Sequence, residues 1–161
     1  EGSVQYDYAN LLHLGFNMTY QDIRDRQETK IDAESYVSTA TTNLTYGERM
    51  PNIPYFFFNG NAAYNFHNLL AKGNTLTLEY GLDYVYKYYL SFPGLGRPTS
   101  KKYIPTQFSH NASVNYLMAE GKYSVGLECT NLTDTKLYDN YRLQKPGRAF
   151  FIKFRVFLSK M

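Results

Sequence analysis

The chain has 161 residues and a mass of 18.7 kDa, room for one domain and too little for two. Its 17 Lys and Arg against 14 Asp and Glu leave a net charge of +3, too mild a balance to call for a nucleic-acid partner. A mean hydropathy of -0.47 argues against a bundle of apolar helices, and the lone Cys129 excludes an internal disulfide framework or a cysteine zinc cluster. The chain opens Glu1-Gly2-Ser3, with neither an initiator Met nor an apolar signal core, and reads as a mature or excised piece.

Alternation with period two runs through most of the sequence, and six strands follow from it. In the first, Leu12, Leu14, Phe16, Met18 and Tyr20 alternate with His13, Gly15, Asn17, Thr19 and Gln21. In the second, Phe56, Phe58, Ala62, Tyr64 and Phe66 alternate with Asn59, Asn61 and Asn65, with Phe57 intruding on the polar side. The third is the clearest and spans 76–88. Leu76, Leu78, Tyr80, Leu82, Tyr84, Tyr86 and Tyr88 face one way, and Thr77, Glu79, Gly81, Asp83, Val85 and Lys87 the other. The fourth sets Phe108, Ala112, Val114 and Tyr116 against Gln107, Ser109, Asn111, Ser113 and Asn115. The fifth sets Tyr123, Val125, Leu127 and Cys129 against Ser124, Gly126, Glu128 and Thr130. The sixth sets Phe150, Ile152, Phe154, Val156 and Leu158 against Phe151, Lys153, Arg155 and Phe157.

Two connections are tight and polar, Ala71-Lys72-Gly73-Asn74 and Ala119-Glu120-Gly121-Lys122, each with the Gly that a positive φ favours. The other three, about 28–54, 93–106 and 131–147, are long and irregular. An up-and-down antiparallel sheet with two unlike ends is expected.

The solvent of the apolar face decides the fold. A soluble β-sandwich or lipocalin-like barrel would turn it inward. Three observations favour lipid instead. The polar faces are rich in Asn, Ser, Thr, Gln and Gly, as suits a wet lumen. The third strand, at thirteen residues, exceeds the usual length of about 5–6. Aromatics gather near the strand ends: Phe56, Phe58, Tyr84, Tyr86 and Tyr88 at the long-loop end, and Tyr64, Phe66, Tyr116 and Tyr123 at the other. Between them lie Gly60, Ala62, Leu78, Leu82, Ala112, Val114, Val125 and Leu127, so two girdles flank an aliphatic waist. The fold class expected is all-β, a transmembrane up-and-down barrel. Since backbone groups in lipid must all be paired, a spanning sheet has to close. Six strands fall short of the eight or more of single-chain barrels, so the chain is expected to be one part of a larger barrel.

The last third carries a resemblance. Leu127-Glu128-Cys129-Thr130-Asn131-Leu132-Thr133-Asp134, then Tyr138, then Pro146-Gly147-Arg148-Ala149-Phe150-Phe151-Ile152-Lys153-Phe154 resembles the carboxy-terminal end of TonB-dependent outer-membrane receptors. There, an Asn-Leu-Thr/Phe-Asp motif ends the penultimate strand, and Pro-Gly-Arg opens the closing one. Asn17-Met18-Thr19-Tyr20-Gln21-Asp22-Ile23-Arg24 and Pro51-Asn52-Ile53-Pro54 are similar to an upgoing strand and the loop after it. The resemblance implies the last six strands of a barrel of roughly 22 with a plugged lumen. It also implies a Gram-negative outer-membrane location, and active uptake of a scarce ligand such as a ferric siderophore, haem, a cobalamin or an oligosaccharide. Outer-membrane lipid would be one partner. The TonB complex would be another, reached through a plug and an amino-terminal box that these residues lack. Closing strands of this family usually end in an aromatic residue, whereas here Phe157-Leu158 runs on into Ser159-Lys160-Met161.

Candidate site residues fall into two sets. On the strands, Glu79, Asp83, Lys87, Asn111, Asn115, Glu128, Lys153 and Arg155 are expected to face the lumen and form salt bridges within the wall or to the plug. In the loops, Arg97, Lys101, Lys102 and Tyr103 precede the fourth strand, and Tyr138, Asp139, Tyr141 and Arg142 precede the sixth. Aromatic surface interleaved with cations can grip an anionic or sugar-like ligand. The alternative is that these residues fold the loops onto one another. His13 and His67 are expected on the lumen side and His110 outward, with no convergent metal-ligand set; Cys129 is expected to fill space on the lipid side. Gly94-Leu95-Gly96-Arg97-Pro98 lacks the Gly-Lys-Ser/Thr ending of a phosphate loop. The sequons at Asn17, Asn43, Asn111 and Asn131 carry no meaning at an outer-membrane address. Neither a catalytic constellation nor a cofactor is expected. The competing functions are a porin-like or adhesin barrel without TonB coupling, and a soluble lipid-binding β-barrel.

Overall fold

The fold begins with a hairpin that the strand count above does not include. Val4, Tyr6 and Tyr8 alternate with Ser3, Gln5 and Asp7, and this strand (β1, Gly2–Tyr8) turns at Ala9-Asn10 into β2 (Leu12–Tyr20). Both turn residues have positive φ, +47° and +55°, and the Leu11 amide closes the turn on the Tyr8 carbonyl at 2.8 Å. That is the primed turn geometry, made here without glycine, and Leu11 follows it as one extra residue before Tyr8 pairs with Leu12.

A computed structural model describes residues 1–31 and 38–158. Ser159, Lys160 and Met161, the tail noted above, lie outside the described residues. Five further strands complete one sheet: β3 (Phe56–His67), β4 (Thr75–Val85), β5 (Gln107–Met118), β6 (Tyr123–Thr130) and β7 (Ala149–Val156). All seven are antiparallel and each pairs with its neighbours in sequence, a meander with β1 and β7 at its edges. The sheet is therefore seven-stranded rather than six-stranded, and it is open. β4 has eleven residues instead of thirteen, because the chain leaves the sheet after Val85 although the apolar alternation continues. Nor are the long links wholly irregular. Each holds a small antiparallel ribbon: Thr29–Ile31 with Ser38–Thr42, Tyr88–Tyr89 with Tyr103–Ile104, and Tyr138–Asn140 with Leu143–Gln144.

Register decides what the faces look like, because a slip of one residue would exchange them. Here Val4 pairs with Phe16, Phe16 with Gly60, Gly60 with Leu82, and Leu82 with His110. Further along, Val114 pairs with Leu127 and Leu127 with Ile152. The row Tyr8, Leu12, Tyr64, Leu78, Val114, Leu127 and Ile152 crosses all seven strands with an apolar or aromatic side chain on each. At the long-loop end the band is aromatic: the Phe58 and Tyr84 rings stack at 4.7 Å, with Phe16, Phe56 and Phe108 within 6.4 Å of one or both. Tyr64 and Phe66, 4.6 Å apart, and Tyr116 mark the other end. The waist between is not wholly aliphatic. Tyr80 and His110 sit in it, and their Oη and Nδ1 share a short hydrogen bond.

No second layer covers this face among the described residues. Ile104 and Cys129 are the buried apolar side chains there, whereas Val114, Leu127 and Ile152 are 41%, 50% and 82% exposed. The accessible surface is 11711 Å², against about 8,300 Å² expected of a folded monomer of this mass. The polar face is the concave one. It encloses a hollow of about 810 Å³ spanning β3 to β7, lined by Asn61, Thr77, Glu79, Asn115, Glu128 and Lys153 among others. On this face two glycines make room for an asparagine of the next strand. A Cβ on Gly15 or Gly126 would lie 2.3 Å from the Asn61 or Asn115 amide oxygen of the neighbouring strand.

Candidate ligand-binding cleft

Three short turns lie at one end of the sheet: Ala9-Asn10, the segment 68–74, and Ala119-Glu120-Gly121. The three long loops lie at the other. The loops are clasped to the strand ends by polar side chains. In the first, Asp22 accepts hydrogen bonds from Arg24 Nε at 3.0 Å and Arg49 Nε at 2.7 Å. The Arg24 bond leads in holding the Asp22 carboxyl below its ordinary range. Asp25 accepts from the Thr45 hydroxyl, the Gln27 amide and Asn43 Nδ2, and is lowered chiefly by the Thr45 bond. Glu48 of this loop takes the Gly94 amide at 2.9 Å, so the Gly94-Leu95-Gly96 segment is a loop-to-loop contact. A Cβ on Gly94 would occupy the Glu48 carboxylate.

The third loop is anchored twice. Gln107, nearly buried at the start of β5, donates from Nε2 to the Tyr138 carbonyl at 3.1 Å and accepts the Tyr138 amide on Oε1 at 2.5 Å. Asn131, 4% exposed, exchanges hydrogen bonds with the Thr135 backbone at 2.8 and 3.0 Å. The Asn-Leu-Thr-Asp and Pro-Gly-Arg strings meet in space. Asp134 Oδ1 accepts the Arg148 amide at 2.8 Å, and Arg148 reaches back to the Leu132 carbonyl at 3.4 Å. A Cβ on Gly147 would lie 2.6 Å from Asp134 Oδ1 and push that carboxylate off the Arg148 amide.

These clasps bring the second and third loops together around a cleft of about 430 Å³, within the range of small-molecule sites. Of the eight loop residues singled out in the sequence, six line it: Lys101, Lys102, Tyr103, Tyr138, Tyr141 and Arg142. The buried Ile104 is at its wall as well. Lys102 Nζ lies 4.9 Å and Arg142 Cζ 5.1 Å from the centre of the Tyr141 ring. Arg142 holds φ at +62° where the ribbon turns, a conformation uncommon for a non-glycine residue. The other two residues lie outside the lining. Arg97 stands ahead of a single 3-10 turn and its carbonyl accepts from Ser100. Asp139 points to Lys145, 2.9 Å away. Tyr88 is nearby; its phenol is pushed up by burial, with Asp139 adding and Lys145 opposing.

The strand residues are arranged along the concave polar face. Ser113 donates to Glu79 at 2.8 Å, Asn111 to Asp83 at 3.3 Å, Asn115 to Ser113 at 3.3 Å, and Lys153 pairs with Glu128. Arg155 stands in register with Ser124 on the same side. Lys87 lies past the end of β4, its Nζ 5.5 Å from both the Tyr89 and Tyr103 rings. His13 meets Asp7 at 2.5 Å, and His67 meets the Thr75 hydroxyl and the Asn10 carbonyl at 3.3 Å. Among the described residues no three His, Cys, Asp or Glu side chains gather as a metal site. Sequence reasoning missed Gln107; its one signal was a polar residue at the mouth of an otherwise alternating strand.

Compared with known proteins, the chain matches no family model, no curated protein and no solved structure. The arrangement itself can bind without bond-making: cations and aromatic faces converge on one cleft, carried by loops on a rigid sheet.

Proposed function

We propose that this chain forms part of the barrel wall and outward loops of a TonB-dependent outer-membrane receptor that takes up a scarce small molecule or oligosaccharide. The observation that carries this reading is the pairing of an uncovered, continuous apolar face with a concave polar one. A soluble carrier needs the reverse curvature, with the apolar side inside. From Phe56 to Phe66 the band measures about 33 Å along the strand. At a tilt near 40° it stands about 25 Å tall, the height of an outer-membrane apolar belt.

Strand parity supports a larger barrel. With seven antiparallel neighbours, β1 and β7 run the same way. Closing the sheet with antiparallel seams then takes an odd number of additional strands. The roughly 22 strands of the receptor barrels would need about fifteen. Copies of this chain inserted the same way up and joined β7 to β1 would instead make parallel seams. The plug and the TonB-contacting segment belong, on this reading, to the rest of the receptor.

The test is a pair of substitutions one residue apart in the receptor reconstituted in vesicles. Val114→Arg, mid-strand on the apolar face, is expected to lower unfolding stability by about 2–4 kcal/mol. Ser113→Arg, on the polar face beside Glu79, is expected to cost less than about 1 kcal/mol. The reverse order, or a chain that stays folded and monomeric in plain buffer, overturns the reading.

A further inference from the structure

We infer that the cleft between the second and third long loops binds an acidic sugar: a ring bearing a carboxylate or phosphate, held by Lys102 and Arg142 and stacked on tyrosine. Charge is the first reason. Three cations line the cleft and no carboxylate does. Lys101 is engaged, its Nζ donating to the Pro93 carbonyl. Lys102 and Arg142 have no acidic partner among the described residues. Asp139, the acid nearest in sequence, is held by Lys145. Two cations brought to one tyrosine ring and left without a counter-ion make a place prepared for an anion from outside.

Shape is the second. Tyr103 and Tyr141 are 48% and 38% exposed, so flat apolar surface is available beside the cations. A bare inorganic anion would leave those faces unused, and a neutral sugar would leave the cations unpaired. A ring that carries its own charge uses both. The backbone is the third. The Gln107 clamp on Tyr138 and the fixed turn at Arg142 hold the cleft open before any ligand arrives, which lowers the ordering cost of binding.

Such a group could arrive on a free oligosaccharide or on the phosphorylated sugars of a lipid headgroup. The full-length receptor in detergent is therefore titrated by calorimetry with trigalacturonate and with neutral maltotriose. In a second arm it is titrated in nanodiscs with and without lipid A. Trigalacturonate is expected to bind at least tenfold more tightly than maltotriose, and more weakly as salt rises. The double variant Lys102→Gln/Arg142→Gln is expected to lose that preference while keeping the wild-type melting profile. Tyr141→Ala is expected to weaken trigalacturonate binding and leave its salt dependence in place. If lipid A alone binds and the double variant abolishes it, the site takes the same chemistry from a lipid. Equal affinity for maltotriose, or affinities for both acidic probes unchanged in the double variant, overturns the inference. It rests on the receptor reading, yet the two fail separately. An inserted barrel that ignores both acidic probes refutes the cleft alone, and a water-soluble chain that still binds the acid refutes the receptor alone.

Discussion

Gln107 shows how one side chain can organise a loop. Its amide supplies both a donor and an acceptor to the Tyr138 backbone, as a neighbouring strand would, from a nearly buried position. Truncation leaves two backbone groups unpaired, each costing about 1–3 kcal/mol when buried. Gln107→Ala is therefore expected to destabilise the protein by about 2 kcal/mol or more in chemical unfolding. It should also speed amide exchange at Tyr138 while β4 exchange stays slow. Uniform loss of protection across the sheet would contradict a local clamp. At this scale the sequence was partly legible. Residue type singled out the tyrosines and cations that share the cleft, because chemistry is carried by type. It could not show that Asp139 turns to Lys145 or that Arg97 stands apart, because side-chain direction is set by how each loop folds, the third by its ribbon and the second by the 3-10 turn after Arg97.

Among elements, the strands were the most legible and the loops the least. The register keeps the alternating positions of β2 to β7 on the faces their spacing assigns, since only that register lines up one apolar surface. β1 escaped notice because its turn, Ala9-Asn10, has positive φ without glycine. β4 was overextended because Tyr86 and Tyr88 continue the rhythm into a loop, where Tyr86 packs its ring 5.2 Å from Tyr55. The first loop carries a pH dependence. Asp22 and Asp25 are both lowered in the folded state, so their contribution is full above the ordinary Asp value of about 3.9. It is lost as pH falls through their lower folded values. Protection of the Gly47 amide, which donates to the Asp25 carbonyl at 2.8 Å, is expected to hold at pH 5 and decline below about 4. Asp25→Asn should flatten that profile. Exchange of wild type that is indifferent to acid, once corrected for intrinsic rate, would refute the assignment.

For the whole molecule, the decisive property is that neither edge of the sheet is paired among the described residues. β1 and β7 each offer a row of backbone groups, and in hydrocarbon every unpaired group is costly. Since copies pointing the same way can offer one another only parallel seams, the isolated 161-residue protein is expected to give no closed ring of fixed size in detergent. Light scattering checks this. A single discrete oligomer with slowly exchanging amides at Val4 and Phe154 would show that the edges do find each other.

On the barrel reading proposed above, the same parity bears on how such a wall can change over evolutionary time. A hairpin gained or lost anywhere along it returns both borders to their former polarity. A lone extra strand would invert one border and spoil the seam. Growth and shrinkage are thus restricted to steps of two, however freely the outer loops diverge.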